Sequence, residues 1–300
     1  MIRIIRTLIC TLSVACALPA LAAETVKFKS MGGGVYQDAK NVPMKNPEGV
    51  ACGKSTVIVA DTGNGRLVRY TLTNDDLKEG VEIKAAEIPY PLRLKASAMG
   101  RILALDGKSR KIARLAADGS FVGYLDYQNV PAPSDVVPRS MAVDDKDNVY
   151  VLDILGERVV VVDPAGKFLR QIPFPKGHGN VSDLAVDQRG AVYVLDSQKS
   201  QVYKAAPNAQ EFQILASGLQ SYLYFAVSME VDSQGRVYLL DQDDSGVIVL
   251  SPNGSFQGRF LSHGWKIGQL NYPAQACITD NGVFVIADRN NSRVQLFKIQ

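Results

Sequence analysis

The chain has 300 residues, 46% apolar and 21% charged, with a formal net charge of +3. That balance is globular and excludes a disordered or fibrous chain. It leaves no basic excess and no block of like charges, so neither nucleic acid nor an anionic membrane is expected as a partner.

The first element is a leader. Arg3 and Arg6 precede an apolar run from Leu8 to Leu18, Pro19 breaks it, and Ala20-Leu21-Ala22 has the small residues of a cleavage site. Residues 1–22 therefore read as a signal peptide. The run is shorter than the about 20 residues that a membrane-spanning helix needs. Its removal lowers the formal charge from +3 to +1. No second long apolar segment follows, so the expectation is an exported monomer, periplasmic or secreted, without membrane insertion. Of four cysteines, Cys10 and Cys16 fall in the leader. Cys52 and Cys277 would reach a compartment where disulfides persist.

Next comes Thr25-Val26-Lys27-Phe28-Lys29, an alternating strand with no sheet of its own. From there the chain repeats. Two or three apolar residues ending in Asp recur at Asp61, Asp106, Asp153, Asp196, Asp241 and Asp288, spaced 45, 47, 43, 45 and 47 apart. Each copy has the same internal order. In the third, Met141-Ala142-Val143 leads to the turn Asp144–Asp147, then Val149-Tyr150-Val151-Leu152-Asp153. A short turn precedes Arg158–Val162, Asp163-Pro164-Ala165-Gly166 turns again, and Phe168-Leu169 opens a fourth run. Short β-rich runs punctuated by Asp, Gly, Asn and Pro are hairpins. Four strands per repeat of about 40–45 residues are the blades of a β-propeller, whose neighbours cover one another's apolar faces. The expected fold is all-β, with six four-stranded antiparallel blades over residues 23–300. The second repeat lacks an acidic first turn, which blurs its boundaries.

The pattern resembles the NHL repeat. The first blade shows it as Pro47-Glu48-Gly49-Val50-Ala51 and Asp61–Val68, the sixth as Asp280–Asp288 followed by Arg289–Val294. Gln201 and Gly246 depart from it where Arg stands five residues after the blade Asp, and Arg110 comes one residue early. The last blade has room for only three strands, near 276–279, 283–287 and 294–299. The strand at Thr25–Lys29 is expected to supply its fourth and close the ring.

The six Asp residues are read as caps of tight turns, paired with Arg where one follows, rather than as a catalytic ring. His178 and His263 lie in loops. The resemblance brings in lyases with zinc-binding histidines, and two histidines cannot supply three ligands. Related propellers also hydrolyse lactones at a calcium-type site. Asp183 and Glu230, placed near the starts of inner strands, are the carboxylates available for one. No cofactor and no metal site are expected. Cys52 and Cys277 fall in the innermost strands of adjoining blades. They sit one position out of step, which points them to opposite faces, so a ring-locking disulfide and two buried thiols both remain open.

The longest inter-blade loops, 32–46, 126–138, 174–180, 218–224 and 262–272, form the expected binding face. Its candidate anchors are Arg93, Arg139, Tyr222, Tyr224, Phe225 and Trp265. The functional expectation is a binding or scaffold module for a protein or extended ligand. The alternative is a lactonase- or lyase-like enzyme with a metal site in the central channel.

Overall fold

The computed structural model describes residues 26–73 and 76–300; the leader assigned to residues 1–22, and Thr25, lie outside the described residues. Six four-stranded antiparallel sheets follow one another, each with its strands in sequential order except the last. The first strands of the blades, Gly49–Cys52, Pro91–Ala96, Pro138–Val143, Val181–Val186, Ala226–Val231 and Ala276–Ile278, touch one another in a ring and line the central channel. The second strands all end on a blade Asp: Thr56–Asp61, Ile102–Asp106, Val149–Asp153, Val192–Asp196, Val237–Asp241 and Val283–Asp288.

These second strands are buried along almost their whole length. Both of their faces meet a neighbouring blade, so they read as continuous apolar runs rather than as alternation. The core is thus a series of layers between blades. Between blades five and six, Tyr238, Leu240, Val247 and Val249 pack on Phe284, Ile286 and Phe297.

The turn joining first and second strands is a repeated carboxylate device. The Oδ1 of Asp144, Asp187 and Asp232 each accepts two backbone N–H groups, two and four residues on. Their Oδ2 accepts the hydroxyl of Tyr150, Tyr193 and Tyr238, six residues on. Blade two keeps one of these bonds without an acid, since Ser97 Oγ accepts the Arg101 N–H four residues on. That substitution is why its first turn was hard to place.

The N-terminal strand closes the ring as the outer strand of blade six, antiparallel to Arg293–Ile299. It begins three residues later than the expected Thr25–Lys29 and runs longer, over Phe28–Val35. Pairing runs from Phe28↔Ile299 to Val35↔Val294, through a register shift after Met31. Gly32 and Gly34 occupy left-handed backbone there (φ 63° and 79°), which lets the strand bulge and resume pairing. Residues 32–35, assigned to a loop by the sequence, are therefore strand. Phe28 packs edge-on to Tyr238, Phe284 and Phe297, so the closing strand also seals the layer between blades five and six.

Cys52 and Cys277 form a disulfide, with Cα atoms 5.6 Å apart. Cys52 pairs with Val57 and Cys277 with Val285, four residues before Asp61 and three before Asp288. The one-residue offset does point them to opposite faces of their own blades. In a ring, however, the front of one blade meets the back of the next, so that offset brings the two sulfurs together.

Candidate functional site

Antiparallel pairing sets the start of each inner strand beside the blade Asp of the same sheet, as in Pro138↔Asp153 and Val181↔Asp196. Inter-blade segments, blade Asp turns and one mouth of the channel therefore share an end of the propeller. Each blade Asp is fully buried. Each also reaches back to the segment that leads into its own blade and accepts a backbone N–H from Lys45, Tyr90, Val137, Asn180, Phe225 or Asn271. The six carboxylates are staples that hold this loop face, and none of them is free to act on a ligand.

Arg strengthens the staple in some blades. Arg66, Arg158 and Arg293 each donate Nε–H to the Asp five residues earlier. Arg293 goes further. Its terminal N–H groups reach the Tyr36 hydroxyl and the carbonyls of Trp265, Lys266 and Gln269. In blade five, Gly246 stands where Arg is usual, and Arg259 of the outer strand fills the space, 3.2 Å from Asp241. A Cβ at position 246 would lie 2.6 Å from that guanidinium. In blade four no Arg replaces Gln201. Asp196 accepts N–H groups from Gly179, Asn180 and Lys199 instead. These bonds lower its pKa although burial, the largest influence, pushes it up.

Inside the channel, the inner strands have one unpaired edge, and their N–H groups need partners. Gly49, Arg93, Ser140, Asp183, Ser228 and Gln275 occupy equivalent positions in the six inner strands, and three of them, Asp183, Ser228 and Gln275, accept such N–H groups. The Ser140 hydroxyl donates to Asp183, whose second oxygen accepts the Met229 N–H at 2.7 Å. Ser228 accepts the Ala276 N–H at 3.3 Å. Gln275 accepts from Val50 and Leu94 and donates to the Leu94 carbonyl. Arg93 crosses the channel to the carbonyls of Ala274 and Val227, at 2.5 and 3.0 Å. One layer deeper, Lys95 and Glu230 pair across the ring. Burial raises the Glu230 pKa, Asp183 adds to the rise, and Lys95 opposes it. Glu230 lies near the end of Ala226–Val231, not at its start as the sequence suggested.

This polar layer divides the channel. Above it, at the loop face, is a cavity of about 350 Å³ lined by Arg93, Arg110, Arg139 and Glu48 with Leu92, Val137, Pro138 and Ile154. Below it, a cavity of about 150 Å³ holds Lys95 and Glu230 and adjoins the disulfide. The remaining anchors lie apart from the mouth cavity. Tyr222 stacks on Phe256 of blade five's outer strand, ring centroids 3.9 Å apart, which directs it to the flank. Phe225 is half-buried, while Tyr224 and Trp265 are each 75% exposed.

Residues 270–297 match the NHL repeat. They cover the three strands that blade six draws from the C-terminal end. The protein is a six-bladed β-propeller that carries an NHL repeat. No curated protein sequence matches the chain. Among solved structures, the propeller is similar to a streptogramin B lyase, with 11% identity, a TM-score of 0.62, and coverage of 92% of this chain and 98% of that one. A gluconolactonase from Xanthomonas campestris is similar at 13% identity and TM-score 0.66, covering 93% and 99%. A Bacteroides thetaiotaomicron protein of unknown function gives 15% identity and TM-score 0.67, covering 92% and 76%. At such identities the likeness is one of fold.

Of the residues singled out in the sequence, the propeller brings Arg93 and Arg139 into one cavity and leaves the aromatics on the rim and flank. His178 and His263 do not meet. His178 Nε2 is 3.6 Å from Glu157, and His263 Nδ1 is 3.4 Å from the Ser245 hydroxyl. Among the described residues no group of three His, Cys, Asp or Glu side chains is arranged to hold a metal. Arg110 and Glu48 were missed as cavity residues, and Gln275 as a channel residue. The early placement of Arg110 was the available signal. It takes the left-handed conformation (φ 55°) just before the third strand, which leaves it unpaired with Asp106 and facing the mouth.

Proposed function

We propose that this propeller is an exported binding module that holds a protein or extended ligand on its loop face. One observation carries the reading. Trp265 and Tyr224 are three-quarters exposed, yet both sit on segments whose backbones are fastened from below. The Tyr224 N–H donates to Asp241, and the Trp265 carbonyl accepts from Arg293. Large aromatics on a rigid backbone lose little entropy on binding and are the usual anchors of recognition surfaces. Export fits the leader pattern of residues 1–22 and a disulfide that an oxidising compartment would preserve.

The test is affinity capture from native envelope fractions with the wild type and with Trp265→Ala/Tyr224→Ala. Exposed side chains contribute little to folding, so the variant should keep its unfolding midpoint and lose the captured species. Equal capture by both proteins would end this reading. The fold it shares with a lyase and a gluconolactonase supports a second reading, an enzyme with a metal site in the channel. Lactone turnover that depends on added calcium, unaffected by loss of the two aromatics, would favour it.

A further inference from the structure

The cavity at the channel mouth has chemistry that the rim does not. Arg93 forms part of its lining and spends one N–H on each of two opposite carbonyls, Ala274 and Val227, which fixes the guanidinium in place. Arg139 stands at the bulge between Pro138 and Ser140. It makes no hydrogen bond and no ion pair among the described residues. Partial burial lowers its pKa, and the neighbouring Arg93 lowers it further, against Asp183. Two guanidiniums thus repel each other in a half-enclosed space. Arg110 adds a third, also without a partner among the described residues.

The nearby carboxylates form no ion pair with Arg110 or Arg139 among the described residues, being engaged elsewhere. Both Asp106 oxygens accept backbone N–H groups, from Tyr90 and Ser109. Asp183 is held by Ser140 and Met229. Glu48 lies 3.1 Å from Arg289. The other walls are Leu92, Leu105, Val137, Pro138 and Ile154. A guanidinium fork matches a carboxylate, and apolar walls suit a hydrocarbon body beside it. A volume of about 350 Å³ is at the small end of ligand sites.

We propose that this cavity binds a carboxylate carried on an apolar body, with Arg93, Arg110 and Arg139 as its counter-charges. The chemistry is shared by a free aliphatic acid and by the C-terminal residue of a peptide chain. The inference deepens the binding-module reading and rests on it for the peptide source only. It fails separately, because its probes do not involve Trp265 or Tyr224.

The probes are hexanoate, hexan-1-ol and a pentapeptide of glycine and alanine ending in leucine, as free acid and as C-terminal amide. Each is titrated into the full-length mature protein while amide and arginine Nε–H resonances are followed by NMR. Hexanoate should give saturable shifts at the inner-strand starts of blades two and three, and hexan-1-ol should not. Arg139→Ala should weaken hexanoate about ten-fold, the loss of one charge-assisted contact. Arg139→Gln, which keeps most of the side-chain volume, should weaken it equally. The Arg139 side chain makes no bond that the fold depends on, so both variants should unfold with the wild type. Tighter binding of the free-acid peptide than of hexanoate identifies a chain terminus as the source, and the reverse identifies a small acid. Equal shifts with hexanoate and hexan-1-ol, peptide binding indifferent to amidation, or hexanoate binding unchanged in Arg139→Ala would each overturn the proposal. Partner capture lost in the rim variant beside absent hexanoate binding would leave the binding module standing and remove only this cavity's role.

Discussion

Blade four is one continuous stretch, Val181–Ala216, whereas blade six takes its outer strand, Phe28–Val35, from the other end of the chain. The staple in blade four uses backbone N–H donors and no cation. In blade six, Asp288 accepts from one backbone N–H and from the side chains of Asn291, Arg293 and Gln295. Yet both carboxylates are buried and both hold the segment leading into their blade. The common element of the repeat is therefore the carboxylate on the backbone. Arg is added in continuous blades as well, from Arg66 and Arg158, but only in blade six does it also reach the segment that closes the ring. Arg293 ties the closing strand, through Tyr36, to the loop that presents Trp265.

Breaking that contrast at its strongest point means removing Arg293. It is almost fully buried, and its loss strands Asp288 without its cation. Arg293→Ala should cost about 3–5 kcal/mol, against less than about 1 kcal/mol for Gln201→Ala at the same position of blade four. Urea unfolding of the two variants gives both numbers. Similar losses would mean that the two blades are stapled alike after all.

The disulfide sharpens the contrast in a different way. Cys52 and Cys277 are 225 residues apart and join blades one and six. Cys52→Ala/Cys277→Ala should destabilise the protein by about 2–5 kcal/mol. Hydrogen exchange should quicken first in Phe28–Val35 and Arg293–Ile299, while Val192–Asp196 keeps its protection. A uniform rise across all blades would show that the ring opens as a unit and that closure at blade six is not its weak point.

The same contrast separates what the sequence revealed from what it hid. Blade number, strand order and closure were legible because Asp61 to Asp288 recur with local, repeated grammar. The closing role of the N-terminal strand was legible because its alternation had no partner nearby, although its bounds were not. The cysteine pair stayed ambiguous because alternation was judged within one blade, whereas the contact lies between two. Gly246 read as a lost Arg because its replacement, Arg259, comes from the outer strand. The channel layer was illegible for a deeper reason. Gly49, Arg93, Ser140, Asp183, Ser228 and Gln275 share a position but no chemistry, since the five side chains make different local bonds and Gly49 has none. The mouth cavity inherits that irregularity, which is why only two of its three arginines stood out.

A smaller effect is expected inside blade four itself. Asp196→Asn puts an amide N–H₂ where one oxygen now accepts, facing backbone donors from Gly179, Asn180 or Lys199. The cost should be about 1–3 kcal/mol, below that of Arg293→Ala because no buried cation is orphaned. A larger loss than in Arg293→Ala, read from the same urea curves, would reverse the ranking of the two staples.

The smallest effect is in the pH dependence of that residue. The Asp196 pKa in the folded protein is lowered from 3.8, so the fold binds its proton less readily than the unfolded chain does. A lowered carboxylate contributes stability that is present above the unfolded pKa and lost as pH falls through the folded one. The window therefore lies at and below 3.8. Asp196→Asn cannot titrate, so its stability should fall less steeply than the wild type's below that pH, and the gap between the two proteins should narrow as acid is added. Denaturant midpoints measured in steps from pH 6 downward test this directly. Parallel curves would show that the backbone donors around Asp196 hold the neutral acid as firmly as the carboxylate, and would leave charge out of the blade-four staple.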